Sequence, residues 1–127
     1  MPSLFAHYSE YGGTWPWVDF APREVSCRHC GELYLAAPEL WALQRLRTLL
    51  GRPIVLNSAH RCVQHNAVVG GAPASRHLGL AFDCRCPADG QEHFCRLARQ
   101  AGFTGIGRYP GRGFVHLDLG PARAWWG

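Results

Sequence analysis

Lysine is absent from this sequence of 127 residues: the 13 cations are all arginine, set against 9 acidic residues. Charge is sparse, at 17% of residues, and the arginines are spread along the chain rather than gathered into a stripe. That spacing argues against a nucleic-acid partner, while a net charge of +4 suits an anionic polymer. No apolar run approaches the roughly 20 residues of a membrane-spanning helix. The first twenty residues lack a basic segment followed by an apolar one, so no Sec signal is read there and synthesis in the cytoplasm is expected. Repeats and low-complexity tracts are also missing. What remains is a hydrophobic content of 47% in a length that fits one folded domain with its own core.

Gly12-Gly13 and prolines at 2, 16 and 22 break any period in residues 1–26. The expected organisation is an irregular N-terminal arm at 1–22 and a folded domain at 23–127. Pro38 opens a helix with Leu40, Leu43, Leu46, Leu49 and Leu50 at helical spacing, and Gly51 with Pro53 closes it. Ile54 to Leu56 reads as a short buried strand, and Ser58 to Ser75 as loop with one helical turn around His65 to Val68. Leu80 to Cys84 reads as a strand, and Pro87 starts a helix whose Phe94, Leu97, Ala98 and Ala101 share a face until Gly102 caps it. Gly105 to Tyr109 and Gly113 to Leu119 form a hairpin around Pro110-Gly111-Arg112. This order predicts an α+β fold: a small, mainly antiparallel sheet with flanking helices.

The chemistry concentrates in Ser75-Arg76-His77-Leu78-Gly79-Leu80-Ala81-Phe82-Asp83 and Phe114-Val115-His116-Leu117-Asp118. Two imidazoles and a carboxylate, His77, His116 and Asp83, form a donor set suited to catalytic zinc, which takes nitrogen and oxygen ligands and keeps one position open. Side chains alternate along a strand, so Asp118 is expected on the same face as His116, looking into the same cleft as a candidate base. A zinc cleft on the sheet is therefore expected.

The six cysteines leave three readings open. Cys27 and Cys30 form a CxxC that could hold a structural zinc, although no second CxxC accompanies it and this is not the favoured reading. Cys62 could instead meet Cys27 or Cys30 in a disulfide, or all could be buried thiols. A thioredoxin-like role is disfavoured, because no strand is read before the CxxC.

The blocks Ser58-Ala59-His60-Arg61-Cys62-Val63-Gln64-His65-Asn66, then Val69-Gly70-Gly71-Ala72, then Ser75 to Asp83, then Gly105 to Asp118 resemble the zinc D-Ala-D-Ala carboxypeptidase and murein endopeptidase family. The resemblance covers roughly residues 23–126 and is carried most specifically by S-x-H-x-x-G-x-A-x-D. It implies a zinc metallopeptidase with His77, Asp83 and His116 as metal ligands. It also implies Arg61 orienting a peptide carboxylate or stabilising an oxyanion, Ser75 bordering the cleft, and Tyr109 with Trp125 and Trp126 as candidate walls. Many members carry an acidic base three residues before the late histidine. Here that position is Gly113, which leaves Asp118 as the candidate, with His65 and His60 as outsiders. The implied partner is peptidoglycan, met at the cell wall or periplasm, with delivery in a phage-tail-like particle as one route. The competing reading is a non-catalytic, zinc-stabilised wall-binding or structural module of such a particle, docking through Tyr8, Tyr11, Trp15, Trp17, Trp125 and Trp126.

Overall fold

Two helices cover one face of a five-stranded sheet and leave the other face to the chemistry. The computed structural model describes residues 2–127. In chain order the strands are β1 (Ser3–Phe5), β2 (Leu33–Leu35), β3 (Leu56–Ser58), β4 (Phe82–Arg85), β5 (Gly105–Tyr109), β6 (Phe114–Asp118) and β7 (Arg123–Trp126). The helices are α1 (Ala37–Leu50), α2 (Val63–Val68) and α3 (Gln91–Ala101). Strands β1 and β2 pair antiparallel, and the main sheet runs β3-β4-β6-β5-β7, antiparallel except for the β5–β7 pair. The expected α+β fold with a mainly antiparallel sheet is what forms.

Local signals explain the helix ends. Pro38 sits in the first turn of α1, where a missing N–H costs nothing, and Gly51 closes the helix at φ 72°. Gly102 does the same for α3 at φ 112°. The first turn after Pro87 is a separate 3-10 turn, Ala88–Gly90, and α3 begins only at Gln91. Helices α1 and α3 pack together, and Leu40, Leu43, Leu46, Phe94 and Ala98 meet Phe82, Val115, Ile106 and Leu117 from the sheet. Alternation along β4 and β6 turns Phe82, Cys84, Val115 and Leu117 into this core, so Asp83 and His116 face away from it.

Three expectations are corrected. The segment expected as an irregular arm at 1–22 is not irregular throughout its described residues: β1 pairs with β2, Tyr8–Glu10 forms a 3-10 turn, and Pro22–Val25 forms another where the arm was to end. Trp17, Phe20 and Val25 lie in the core, and Trp15 and Trp41 pack edge-on against Trp17 with centroids 4.9 and 5.7 Å away. Apolar area removed from water holds this segment down, and the short strands give too little alternation to be read. Most of the aromatics proposed to dock a partner are thereby used internally. The strand expected at Ile54 starts instead at Leu56, with Ile54 buried ahead of it. Finally, β7 was not anticipated: the link 119–122 carries the chain past the end of β5 to pair on its far side.

If residues 2–22 are part of the domain core, Trp17→Ala should destabilise the whole fold by about 3–5 kcal/mol. Urea unfolding followed by far-ultraviolet circular dichroism measures this, and a change within about 0.5 kcal/mol would mean a detachable arm.

Candidate metal centre and its cleft

Asp83 and His116 are direct partners in the antiparallel pairing of β4 and β6. The third group, His77, sits in the 3-10 turn Arg76–Leu78, which Ser75 caps by accepting the His77 N–H at 3.2 Å. Nε2 of His77 and Nδ1 of His116 lie 3.1 and 3.0 Å from Oδ1 of Asp83. The three donor atoms all fall within 4.8 Å of one another.

The remaining ring nitrogens are already committed. Nδ1 of His77 donates to the Ala59 carbonyl at 2.6 Å, and Nε2 of His116 donates to Oδ2 of Asp118 at 2.7 Å. Each imidazole therefore turns its other nitrogen, the one able to carry a lone pair, toward the Asp83 oxygen. Three electron-rich atoms converging on one point is an arrangement that a cation relieves, and held outer nitrogens are how proteins orient metal-binding histidines. Burial alone would lower the His116 pKa, but hydrogen bonds to Asp118 and Asp83 outweigh it and raise it. Burial alone would raise Asp83, yet its bonds to His116 and His77 hold it well below the usual carboxylate range.

Asp118 does share the His116 face, as alternation predicts, but it does not open into the cleft. Its carboxylate is 1% exposed and lies behind the imidazole. Arg123 reaches its two oxygens at 2.9 and 2.8 Å, and the Gly120 N–H adds a bond of 2.9 Å. Burial would raise its pKa, but the bonds from His116, Arg123 and Gly120 dominate and hold it well below the ordinary range. Such an acid is a weak proton acceptor.

The glycines of Gly105-Ile106-Gly107 make space for this arrangement. Both pair across from the site residues, Gly105 with Asp118 and Gly107 with His116. A Cβ on Gly105 would meet the Asp118 carboxylate and the Arg123 guanidinium, and one on Gly107 would meet the Trp125 indole. Gly113 has φ 71° and ends the tight turn that closes with its N–H on the Tyr109 carbonyl at 2.9 Å. A branched or charged side chain there would be strained.

The cleft, about 400 Å³, is lined by His77, Asp83 and His116 together with Arg61, Arg76, Arg112 and Arg123. Arginines that looked scattered in sequence are thus gathered around one groove. Nη2 of Arg61 donates to the Ser75 hydroxyl at 3.1 Å, while its buried Nε–H has no partner among the described residues. Tyr109 stacks on Phe114 at 4.4 Å and accepts a 2.8 Å bond from Trp125 Nε1, forming an aromatic wall. Trp126 points elsewhere, with Arg108 over its ring. His60 is buried between the Gly79 carbonyl and Glu32, and neither it nor His65 lines the cleft. Arg76, Arg112 and Arg123 were not singled out from sequence, since nothing local distinguishes them from other surface arginines. A larger cavity of about 850 Å³ contains none of the three metal-site donors, so chemistry rather than volume locates the site.

A histidine–aspartate donor set under a basic cleft is suited to metal-dependent hydrolysis, and comparison with known families gives the class. Residues 19–118 match the family described as Peptidase M15, and the chain belongs to that family. It is similar to the zinc D-Ala-D-Ala carboxypeptidase of Streptomyces albus G, 40% identical over 94 residues, covering 68% of this chain and 36% of that protein. It is also similar to the peptidoglycan L,D-endopeptidase MepK of Escherichia coli (strain K12), 35% identical over 91 residues, covering 65% of this chain and 50% of that protein. The chain thus matches half or less of the length of these relatives.

Filling the space over Gly107 should displace the Trp125 wall. Gly107→Val is expected to cost about 1–3 kcal/mol by overpacking. It should also alter the near-ultraviolet circular dichroism of the folded protein, and an unchanged aromatic spectrum would mean that the indole does not rest on this glycine.

Proposed function

We propose that this chain is a zinc-dependent peptidase that hydrolyses peptide bonds in the stem peptides or cross-links of peptidoglycan. The observation that carries the reading is the convergence of His77, Asp83 and His116, each imidazole oriented by a second hydrogen bond. Two nitrogens and one oxygen with a cleft in front of them fit zinc with an open position. When bound, zinc would supply a Lewis acid for the scissile carbonyl and the attacking water.

The chain's own residues divide the remaining work. Asp118 acts as a positioning residue: it holds the Nε2–H of His116, and Arg123 and Gly120 hold Asp118 in turn. Arg61, Arg76 and Arg112 line the cleft and make it electropositive, which suits a peptide carrying free carboxylates. Ser75 fixes the Arg61 head, and Tyr109 keeps a hydroxyl proton free to donate after accepting from Trp125. Among the described residues lining the cleft, Asp83 is the only carboxylate, so no separate carboxylate base is assigned. The relatives named for D-Ala-D-Ala carboxypeptidase and L,D-endopeptidase activity support a wall substrate, and action at the cell wall or periplasm follows from that substrate.

Zinc content and release of muropeptides from purified peptidoglycan, compared between wild type and His77→Ala, test the reading. Release that the variant loses together with its metal is the expected result. Metal binding with no release from any wall preparation would favour the wall-binding module, with Gly113 in place of an acid as the structural correlate. Asp118→Ala should weaken zinc binding about 10- to 100-fold in chelator competition. Full zinc affinity with lost turnover would instead restore Asp118 as the proton acceptor. Arg61→Ala should lower kcat/KM by roughly ten- to a hundredfold for a substrate with a free carboxylate, the worth of about 1.5–3 kcal/mol for a charged hydrogen bond. Amidating that carboxylate should erase the difference.

A further inference from the structure

Away from the cleft, three sulfurs meet. Cys27 and Cys30 come from the loop that follows the Pro22–Val25 turn, and Cys62 is the N-cap residue of α2. Their Sγ atoms lie within 4.8 Å of one another, although Cys62 is more than thirty residues away in sequence. All six cysteines are free thiols in the structure. Two thiolates sharing a tetrahedral zinc with bonds of about 2.3 Å stand roughly 3.8 Å apart, so the cluster needs only small adjustments to close on an ion.

The surrounding backbone is arranged around these sulfurs. The loop folds back on itself, with Cys27 N–H donating to the Glu32 carbonyl at 2.8 Å and Gly31 N–H to the Cys27 carbonyl at 2.9 Å. Gly31 permits this turn at φ 79°. The Cys62 N–H points at Cys27 Sγ at 3.5 Å, and the His65 N–H at Cys62 Sγ at 3.3 Å. Such N–H groups stabilise sulfur as a thiolate, the form that binds metal. Two imidazoles stand at the rim: His29 Nδ1 is 4.0 Å from Cys62 Sγ, and the His65 ring stacks on His29 at 5.6 Å with planes 5° apart.

We propose that Cys27, Cys30 and Cys62 hold a second, structural zinc ion, with an imidazole of the stacked His29–His65 pair closing its coordination. The sequence pattern is C-x-x-C followed by Cys62 at the N-cap of a helix, with His65 three residues further on. Four protein ligands leave no open position, which assigns the ion a structural rather than a catalytic role. Its consequence for the cleft is direct, because Cys62 follows Arg61, whose own N–H donates to the His77 carbonyl at 2.6 Å. The ion would pin the N-terminal segment to the chain that carries both the cleft arginine and the support of a metal ligand.

Zinc counting on the full chain, purified under reducing conditions, tests this. Wild type should hold two ions, His77→Ala one and Cys30→Ser one. One ion in wild type that disappears in His77→Ala overturns the proposal. One ion retained in His77→Ala but none at the cleft in wild type would uphold this site while removing the function proposed above. Because Cys30→Ser could fail to fold, cobalt loading of His77→Ala is the second measurement. An intense near-ultraviolet thiolate-to-cobalt band is expected, and its absence refutes the cluster. Replacing both His29 and His65 by alanine should speed zinc loss to a chelator, and an unchanged rate overturns the imidazole closure.

Discussion

The register of β4 against β6 is the constraint on which the site rests. Phe82, Cys84, Val115 and Leu117 are each fully buried, and a pairing displaced by one residue would not bury all four together. That same register sets Asp83 beside His116 on the opposite face. A slip of one residue would drive a carboxylate and an imidazole into the apolar core, so the packing energy of one face fixes the donor geometry of the other. Gly105 and Gly107 belong to the same logic: they are bare because the Asp118–Arg123 pair and the Trp125 indole occupy the space above them.

Behind the candidate metal site runs a line of charge that ends at the surface. His116 leans on Asp118, Asp118 on Arg123, and Arg123 stacks over Trp125 at 4.9 Å. A buried carboxylate is costly unless its oxygens are filled, and here four bonds fill them. The same four bonds fix the carboxylate behind the His116 ring. The strand β7 supplies both Arg123 and Trp125, so a strand that joins the sheet by a parallel pairing to β5 completes the cleft.

Much of this was legible in the residues themselves. Helices α1 and α3 announced themselves through leucine spacing, first-turn proline and terminal glycine, because those signals act within a few residues. The hairpin of β5 and β6 was readable from Pro110-Gly111-Arg112 between alternating runs. His77, Asp83 and His116 stood out because their residue types and motif are rare together. The three-residue strands β1 and β2, and the exact start of β3, were not readable, since strands so short are made by their partners.

What the sequence determined by itself was therefore local: helix ends, turns, the alternation that sorts one sheet face from the other, and the residue types of the candidate metal site. Tertiary structure decided everything that depends on distant residues meeting. It buried the N-terminal aromatics, converted spread arginines into a basic groove, turned Asp118 away from solvent and brought Cys62 to the lone CxxC. The physical reason is that these outcomes are set by packing and by pairwise distances across the fold, and neither is encoded within any single window of the chain.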